Sequence, residues 1–176
     1  MEDKLTIFSE EAEIIQSFND NKAIRKEFQE QGIRFEQWPV HSDQGNSDDI
    51  LKAYDKEIKC LVSEKAYQSW DVISLQSDHP DKDVLRRKFL SEHTHSEDEV
   101  RFFVHGKGLF VLHIEDKVYS VLCEKGDLIS VPKNTPHWFD MSESPDFTCI
   151  RFFDNPKGWV AHYTESGINK KFHQYH

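Results

Sequence analysis

Residues 92–106 read EHTHSEDEVRFFVHG, and this stretch decides which fold the sequence predicts. Side chains alternate between the two faces of a β-strand, so His93 and His95, with Thr94 between them, point to the same side. Their Cα atoms then lie about 6.6 Å apart, close enough for two imidazoles to reach one ion. The stretch therefore favours a metal site over a solvated run of charges.

Glu99 has the same parity as the two histidines, but an extended chain would carry it about 13 Å from His95. Residues 96–98 are therefore predicted to form a turn or bulge, not regular strand, that folds Glu99 back. Arg101 lies two residues further on and shares the face of Glu99. An arginine inside a barrel needs an anionic partner, which is either a substrate oxyanion or a neighbouring acid.

His137 is the fourth candidate ligand, and it follows the segment GDLISVPKNTP at residues 126–136. Two prolines stiffen the approach to His137 because each fixes its own φ. Its distance along the chain from His95 is no obstacle, because strands that are remote in sequence line one barrel interior. His105 and His113 lie near the motif, but their spacing does not fit the ligand set, so we interpret them as structural.

Composition restricts the class of protein. The chain has 176 residues, which suffices for one domain with a buried site, and its net charge of −10 without a basic block argues against nucleic acid or membrane partners. Three cysteines without a CxxC pair favour neither a disulfide framework nor a zinc site. The acidic N-terminus does not resemble a signal peptide, and no apolar run spans a membrane. We expect a cytoplasmic monomer.

The chain changes character near residue 90, and we expect a single domain over residues 1–176 that is mainly β with flanking helices. Residues 1–90 are predicted to be a helix-rich cover with some strands, and residues 161–176 a C-terminal tail whose polar end, NKKFHQYH at 169–176, is expected to be frayed and without function. Residues 91–160 are predicted to form a metal-binding barrel core. Helices are predicted at 9–18, 21–32, 47–67 and 81–90, and strands at 33–40, 70–77, 99–106, 108–115, 117–124, 127–132, 137–141 and 146–153.

Two segments resemble the cupin superfamily. HTHSEDEVRFFVHG fits its first motif, HxH, three residues, E, six residues and G, and GDLISVPKNTPH fits its second, G, five residues, P, a short turn and H. The second motif departs from the usual pattern at Asn134 and Met141, neither of which is a ligand position. The resemblance implies a cupin double-stranded β-helix (jelly-roll barrel). It also implies the ligand set His93, His95, Glu99 and His137.

The resemblance extends to one family. YQSWDVISL, KFLSEHTHSEDEVRFFV, LCEKGDLISVP, TPHWFDM and FDNPKGW are similar to strings of the bacterial acireductone dioxygenases, from about Leu5 to Trp159. This implies a methionine-salvage dioxygenase with one Fe²⁺ or Ni²⁺ per chain that cleaves 1,2-dihydroxy-3-keto-5-methylthiopentene with O₂. Iron implies 2-keto-4-methylthiobutanoate and formate as products, and nickel implies 3-methylthiopropanoate, formate and carbon monoxide. Three imidazoles and one carboxylate suit either ion in octahedral geometry.

The same resemblance implies roles for side chains near the ligands. Arg101 matches an arginine that is tied to substrate deprotonation. The other matched positions are aromatic residues of the substrate pocket, Phe89, Phe139 and Trp159, and acids connected with metal incorporation and local conformational coupling, Glu92 and Asp98. Aromatic rings suit the thioether tail of the substrate, although ordinary core packing is the alternative for all three.

Two other functions remain open from the sequence. One is a different cupin oxygenase, which would consume oxygen with substrates other than acireductone. The second is a non-catalytic cupin that binds a metal or small ligand and shows no oxygen uptake with any enediol.

Overall fold

The computed structural model describes residues 3–155, 160–172 and 175. The first half contains both strands and helices, in the order β1 (Leu5–Ser9), β2 (Ile14–Phe18), α1 (Asn21–Glu30), β3 (Arg34–Gln37), α2 (Ser47–Ala53), α3 (Asp55–Lys65), β4 (Ser69–Leu75) and α4 (Lys82–Leu90). Strands dominate the second half: β5 (His93–Thr94), β6 (Glu99–Ile114), β7 (Lys117–Glu124), β8 (Asp127–Val131), β9 (His137–Asp140), β10 (Phe147–Phe153) and β11 (His162–Tyr163). A 3-10 helix, Ile168–Lys171, follows β11.

The strands form two antiparallel sheets that share β6. Sheet 1 has the order β2-β1-β7-β6-β9-β5-β11, and sheet 2 has the order β3-β8-β6-β10-β4. The second half of β6 pairs with β7 and β9, whereas its first half pairs with β8 and β10. This arrangement confirms the predicted mainly β jelly-roll fold with flanking helices.

The length of β6 corrects the prediction of two strands, at 99–106 and 108–115, separated by a turn. One strand runs through both segments and bends at Gly106, whose φ is +72°. A Cβ there would lie 1.8 Å from the carbonyl oxygen of Asp146, so only glycine fits. The pairing with β10 also skips Val104, and this bulge shifts the parity of the inward-facing residues.

The interior core lies between the two sheets. Aromatic rings from both sheets meet there, since Phe103 and Phe147 of sheet 2 pack with Phe110 and Phe139 of sheet 1. Helix α1 adds Ile24 and Phe28 to the same core. The apolar side chains of β6 therefore support both walls of the barrel.

Helices α2 and α3 cover the outer face of sheet 2. Their buried residues Ile50, Tyr54, Ile58 and Leu61 pack on a cluster that includes Phe102 and other outward side chains of the sheet. The predicted helix 47–67 is divided at Tyr54, and its N-cap is Asn46, which forms a capping box with Asp49. Among the described residues, no helix is long and apolar enough to cross a membrane.

The helix predicted at 9–18 is wrong. Ser9 ends β1 instead, and its hydroxyl accepts backbone N–H groups of Glu11 and Glu13 in a tight turn that leads into β2. The helical pattern of residues 9–18 does not form a buried helix face. Its apolar residues Ile14 and Ile15 are 68% and 52% exposed on an outer strand. Ser9 thus stabilises a hairpin turn in place of the predicted helix.

The end of the chain has defined structure where it is described, so the expectation of a frayed end is wrong for residues 169–172. β11 pairs with β5, and Ile168 is buried against the outer face of sheet 1. The Phe172 ring packs edge-on against Phe8 at 5.2 Å and lies 5.8 Å from the ring of Trp138. Apolar residues in this polar segment thus cover sheet 1 as α2 and α3 cover sheet 2.

Candidate metal centre

The four predicted ligands meet at one end of the barrel and are all buried. We call His93, His95, Glu99 and His137 the His3Glu group. His93 of β5 pairs directly with His137 of β9, and Glu99 begins β6. One ligand atom from each of the four residues lies within 4.8 Å of the others, so the group can hold a metal ion.

The turn that returns Glu99 to this group lies at 96–98, where the prediction of non-strand structure is confirmed. The Asp98 carboxylate accepts the backbone N–H of Lys133 at 2.9 Å, and the backbone N–H of Asn134 donates to the carbonyl oxygen of His95 at 2.9 Å. These two hydrogen bonds join the turn before Glu99 to the turn before His137.

All three histidines use the Nδ1 atom for a backbone hydrogen bond. The acceptors are the carbonyl oxygens of Ser91 for His93 (2.7 Å), Val160 for His95 (3.2 Å) and Thr135 for His137 (2.8 Å). A carbonyl only accepts, so each Nδ1 carries a proton and each ring directs its Nε2, the atom that a neutral imidazole would offer to a metal, into the group. Imidazoles that bind metal are held in this way, and the donor set therefore fits a divalent ion.

The Glu99 carboxylate lies between Arg101 and two histidines. Its Oε2 is 2.6 Å from His137 Nε2 and 3.4 Å from His95 Nε2, and its Oε1 is 2.9 Å from Arg101 Nε. Burial raises the pKa of Glu99, but the charges of Arg101 and His137 outweigh burial and hold this pKa well below its usual range. Burial, reinforced by His137, lowers the pKa of His93 to about 4. A carboxylate and neutral imidazoles are the forms that bind metal.

Arg101 lies on the interior face beside Glu99 and is only 3% exposed. Its guanidinium carbon is 5.3 Å from the ring centroid of Phe139 and 5.8 Å from that of Phe110. Aromatic ring faces attract cations at such distances, so the two rings stabilise a charge that burial would otherwise disfavour. The site thus combines a ligand set with a fixed internal cation.

Comparison with known proteins places the chain in a family. Residues 4–161 match the sequence model of the ARD/ARD' family. The chain belongs to this family. An acireductone dioxygenase of Cronobacter sakazakii is 56% identical over 173 residues, 96% of each chain, and one of Alcanivorax borkumensis is 50% identical over 99% of each.

A solved structure of this ARD/ARD' type agrees with the fold. It is an acireductone dioxygenase from Bacillus anthracis with a cadmium ion in its active centre, and it is 33% identical in sequence. The TM-score is 0.78 over 93% of this chain and 100% of that one. The fold described above is thus shared with a relative over nearly the whole length of both chains.

The aromatic residues predicted for the substrate pocket have different environments in this ARD/ARD' chain. Phe139 is buried in the interior core next to Arg101, and Phe89 of α4 is half-buried and packs against that core. Gly108 makes room for Phe139, because a Cβ at Gly108 would lie 2.3 Å from the ring. Trp159 lies outside the described residues.

The two predicted acids differ in exposure. Asp98 is exposed, whereas Glu92 is 4% exposed and points to the outer face of sheet 1. Burial raises the pKa of Glu92, but hydrogen bonds from Thr164, Ser166 and His113 outweigh burial and lower it. Glu92 therefore lies behind the sheet, next to His93, and not inside the barrel.

Phe110 and Gly108 are not predicted from the sequence, and His113 is interpreted there only as structural. The bulge at Val104 hides Phe110, because strand parity from Arg101 places it on the wrong face. The signal for His113 is its acidic partner Glu10, which lies in the turn after β1. Glu10 comes close to His113 only because β1 pairs with β7. That pairing joins residues about a hundred positions apart, which spacing alone does not reveal.

Proposed function

We propose that the chain is an acireductone dioxygenase of methionine salvage, with one Fe²⁺ or Ni²⁺ held by the His3Glu group. The observation that carries this proposal is the orientation of the three imidazoles, whose Nδ1 protons point to backbone carbonyls while their Nε2 atoms converge with Glu99. Family membership supplies the substrate class, and the buried cation next to the ligands suits an anionic enediol.

The His3Glu group would hold the ion, which would supply Lewis acidity toward an enediolate substrate. Together with the Glu99 carboxylate, a divalent ion has a net charge of about plus one, which offsets the charge of an anionic substrate. The overall charge of −10 is therefore no barrier to an anion at this place.

Arg101 acts on the substrate through its charge. Its guanidinium is anchored by Glu99 and by the faces of Phe110 and Phe139, so it is already oriented before substrate arrives. A fixed cation beside the metal favours loss of the enediol proton and stabilises the oxyanion that forms. We assign Arg101 to binding and stabilising the deprotonated substrate.

Phe89, Phe139 and Trp159 are proposed to line the slot for the methylthio tail. Phe139 lies next to Arg101, and so one ring bridges the polar end of the site and its apolar part. Ring edges and faces suit a thioether, which is polarisable and weakly solvated. Exclusion of water by these rings would also strengthen the electrostatic effect of Arg101.

The direct test measures metal content and oxygen uptake on the same samples. Glu99→Ala and His95→Ala are expected to lose bound metal and oxygen uptake with acireductone. His162→Ala serves as the control, since His162 is an exposed histidine on the neighbouring strand β11. Full activity in a metal-free variant, or oxygen uptake with other enediols but not with acireductone, would contradict the proposal.

The loaded metal is proposed to decide the products. Stripped protein reloaded with iron is expected to give 2-keto-4-methylthiobutanoate and formate, and protein reloaded with nickel to give 3-methylthiopropanoate, formate and carbon monoxide. Metal analysis of natively expressed protein, coupled to product identification in one sample, separates the two. Identical products from both reloaded forms would contradict this part of the proposal.

We also propose that residues 1–176 act as one cupin domain and as a monomer. Side chains of α1, α2 and α3 complete the clusters on and between the sheets, which supports a single folding unit. Light scattering after size-exclusion chromatography tests the monomer, with a mass near 20.8 kDa expected.

A further inference from the structure

His113 lies near the end of β6 on the outer face of sheet 1, away from the interior of the barrel. Its side chain is 17% exposed, and both ring nitrogens face carboxylates. Nδ1 is 2.8 Å from Glu92 Oε2 and Nε2 is 2.9 Å from Glu10 Oε2. Each ring nitrogen thus lies within hydrogen-bond distance of a carboxylate oxygen.

The Glu92 carboxylate is held on its other side as well. The hydroxyl of Thr164 donates to Oε1 at 2.6 Å, and the hydroxyl of Ser166 donates to the same atom at 2.7 Å. The backbone N–H of Thr164 donates to the carbonyl oxygen of Glu92 at 3.1 Å. Glu92 is thus fixed from two directions, by His113 and by the segment that follows β11.

This anchoring matters because β5 is a very short strand. It has two residues, and its pairing with β9 consists of His93 opposite His137. Glu92 directly precedes His93, and neighbouring side chains of an extended chain point to opposite faces. A carboxylate fixed on the outer face therefore sets the position of the imidazole on the inner face.

The backbone of His113 also contacts the chain next to a second ligand. Its N–H donates to the carbonyl oxygen of Pro136 at 2.9 Å, and Pro136 directly precedes His137. The adjacent residue of β6, Leu112, is the register partner of His137. One residue of β6 thus touches the neighbours of two members of the His3Glu group.

We propose that His113 is a positioning residue of the metal centre: its ring holds Glu92 on the outer face of sheet 1 and thereby sets His93 for the metal. The inference rests on the proposed function, because it concerns the same metal site. A merely structural contact would change the free energy of unfolding and leave metal affinity unaltered. Loss of hydrogen-bonded partners around metal ligands commonly weakens metal binding about 10- to 100-fold.

Two substitutions at His113 separate its two contacts. In His113→Asn the side-chain amide stands near the position of Nδ1, so the hydrogen bond to Glu92 is retained. In His113→Gln the amide reaches the position of Nε2, so the contact with Glu10 is retained and that with Glu92 is lost. Both variants keep a polar side chain of similar size, which limits general damage to the fold.

His105 provides a matched control on the same strand. Its Nδ1 is 3.1 Å from Asp43 Oδ2 and its Nε2 is 3.0 Å from Asp146 Oδ1, so it too bridges two carboxylates. These acids lie in loops that do not adjoin the His3Glu group. His105→Gln therefore removes the same kind of contact without touching the support of a ligand.

The experiment titrates metal-stripped, full-length proteins with Co²⁺ against a competing chelator and measures urea unfolding of the stripped forms. We expect His113→Gln to bind Co²⁺ about tenfold more weakly. His113→Asn and His105→Gln should bind Co²⁺ with an affinity within about twofold of the wild type. This change is far smaller than the loss of about 10- to 100-fold that follows when a partner of a metal ligand is removed.

The outcomes distinguish this inference from the proposed function. Equal affinity of His113→Gln and wild type overturns the positioning role, as does an equal loss in His113→Asn or in His105→Gln. A wild-type protein that fails to bind Co²⁺, or a His95→Ala variant that binds it as well as wild type, overturns the metal site itself. If His113→Gln does not fold, the Co²⁺ affinity of His113→Asn is compared with that of Thr164→Val, which removes a donor to the same carboxylate. Weaker binding by Thr164→Val supports the inference, and equal binding overturns it.

Discussion

Glu99 and His137 approach to 2.6 Å between Oε2 and Nε2 although they belong to different sheets. Glu99 opens β6 where that strand pairs with β8 in sheet 2, and His137 opens β9 in sheet 1. A bound ion would therefore tie the two walls of the barrel together at one end. Metal binding should stabilise the fold as well as enable chemistry.

Removal of metal should consequently lower the melting temperature. A ligand at about 100 times its Kd stabilises the native state by about 2.7 kcal/mol. For a chain of this size that corresponds to a shift of about 5–11 °C. Thermal unfolding with and without a chelator measures it, and His95→Ala is the control, since its melting temperature should not respond. An equal shift in that variant would show that the chelator acts elsewhere.

Arg101→Lys tests the orientation of the cation and not only its charge. A lysine keeps the positive charge but lacks the planar fork that lies beside Glu99 and over the two rings. We expect kcat to fall by about 10²-fold, as when one preorganised donor is removed from an oxyanion site. Bound metal per chain should stay unchanged, and an unaltered kcat would remove the proposed role.

Arg101→Ala should show that the metal can replace the arginine as counter-charge. Without Arg101 or a metal ion, Glu99 is a buried carboxylate that keeps only His137 and His95 as partners. Removing one partner of a buried ion pair costs about 3–5 kcal/mol. A bound divalent ion restores an opposite charge next to Glu99. The loss in free energy of unfolding should therefore be larger for stripped protein than for loaded protein, which urea titrations of both forms measure. Equal losses would contradict this account.

Local spacing made His93, His95 and Glu99 candidate ligands, because each step depends on neighbouring residues. His93 and His95 share a face through strand alternation, and the need to return Glu99 predicted the turn at 96–98. His137 was a candidate from its place after the stiff PKNTP segment, and the resemblance to the second cupin motif implied it as the fourth ligand. Motifs of this kind can be recognised without knowledge of the rest of the fold.

Features that depend on long-range pairing were not predictable. The bulge at Val104 reverses the facing of everything after it in β6, so Phe110 could not be assigned to the interior from Arg101. Residues 14–18 have helical spacing but pair with β1, and Phe172 gains its partner Phe8 from the other end of the chain. Tertiary pairing overrides local propensity in each case.

Gly108→Ala should displace the Phe139 ring. The added methyl group would lie 2.3 Å from the ring, and overpacking of this kind costs about 1–3 kcal/mol. Because Phe139 is proposed to line the tail pocket and lies beside Arg101, we expect a raised KM for acireductone with metal content unchanged. Steady-state kinetics with metal analysis test both expectations.

The double variant Gly108→Ala with Phe139→Leu provides the control. Leucine is smaller than phenylalanine and vacates the space that the new methyl group needs. The two changes should therefore be less than additive in the free energy of unfolding, as expected for residues in contact. Strict additivity would show that Gly108 affects stability through its backbone and not through the ring.

Asp98 should influence metal affinity through the turn that it holds. Its carboxylate accepts the N–H of Lys133, which links the segment after His95 to the one before His137. One hydrogen bond contributes about 1 kcal/mol, so Asp98→Ala should weaken metal binding about fivefold, whereas Asp98→Asn keeps an acceptor oxygen and should bind almost as wild type. Asp116→Ala removes the same charge from another exposed turn and is the control for electrostatics. If Asp98→Asn and Asp116→Ala both match Asp98→Ala in a chelator competition, negative charge near the barrel matters and the hydrogen bond does not.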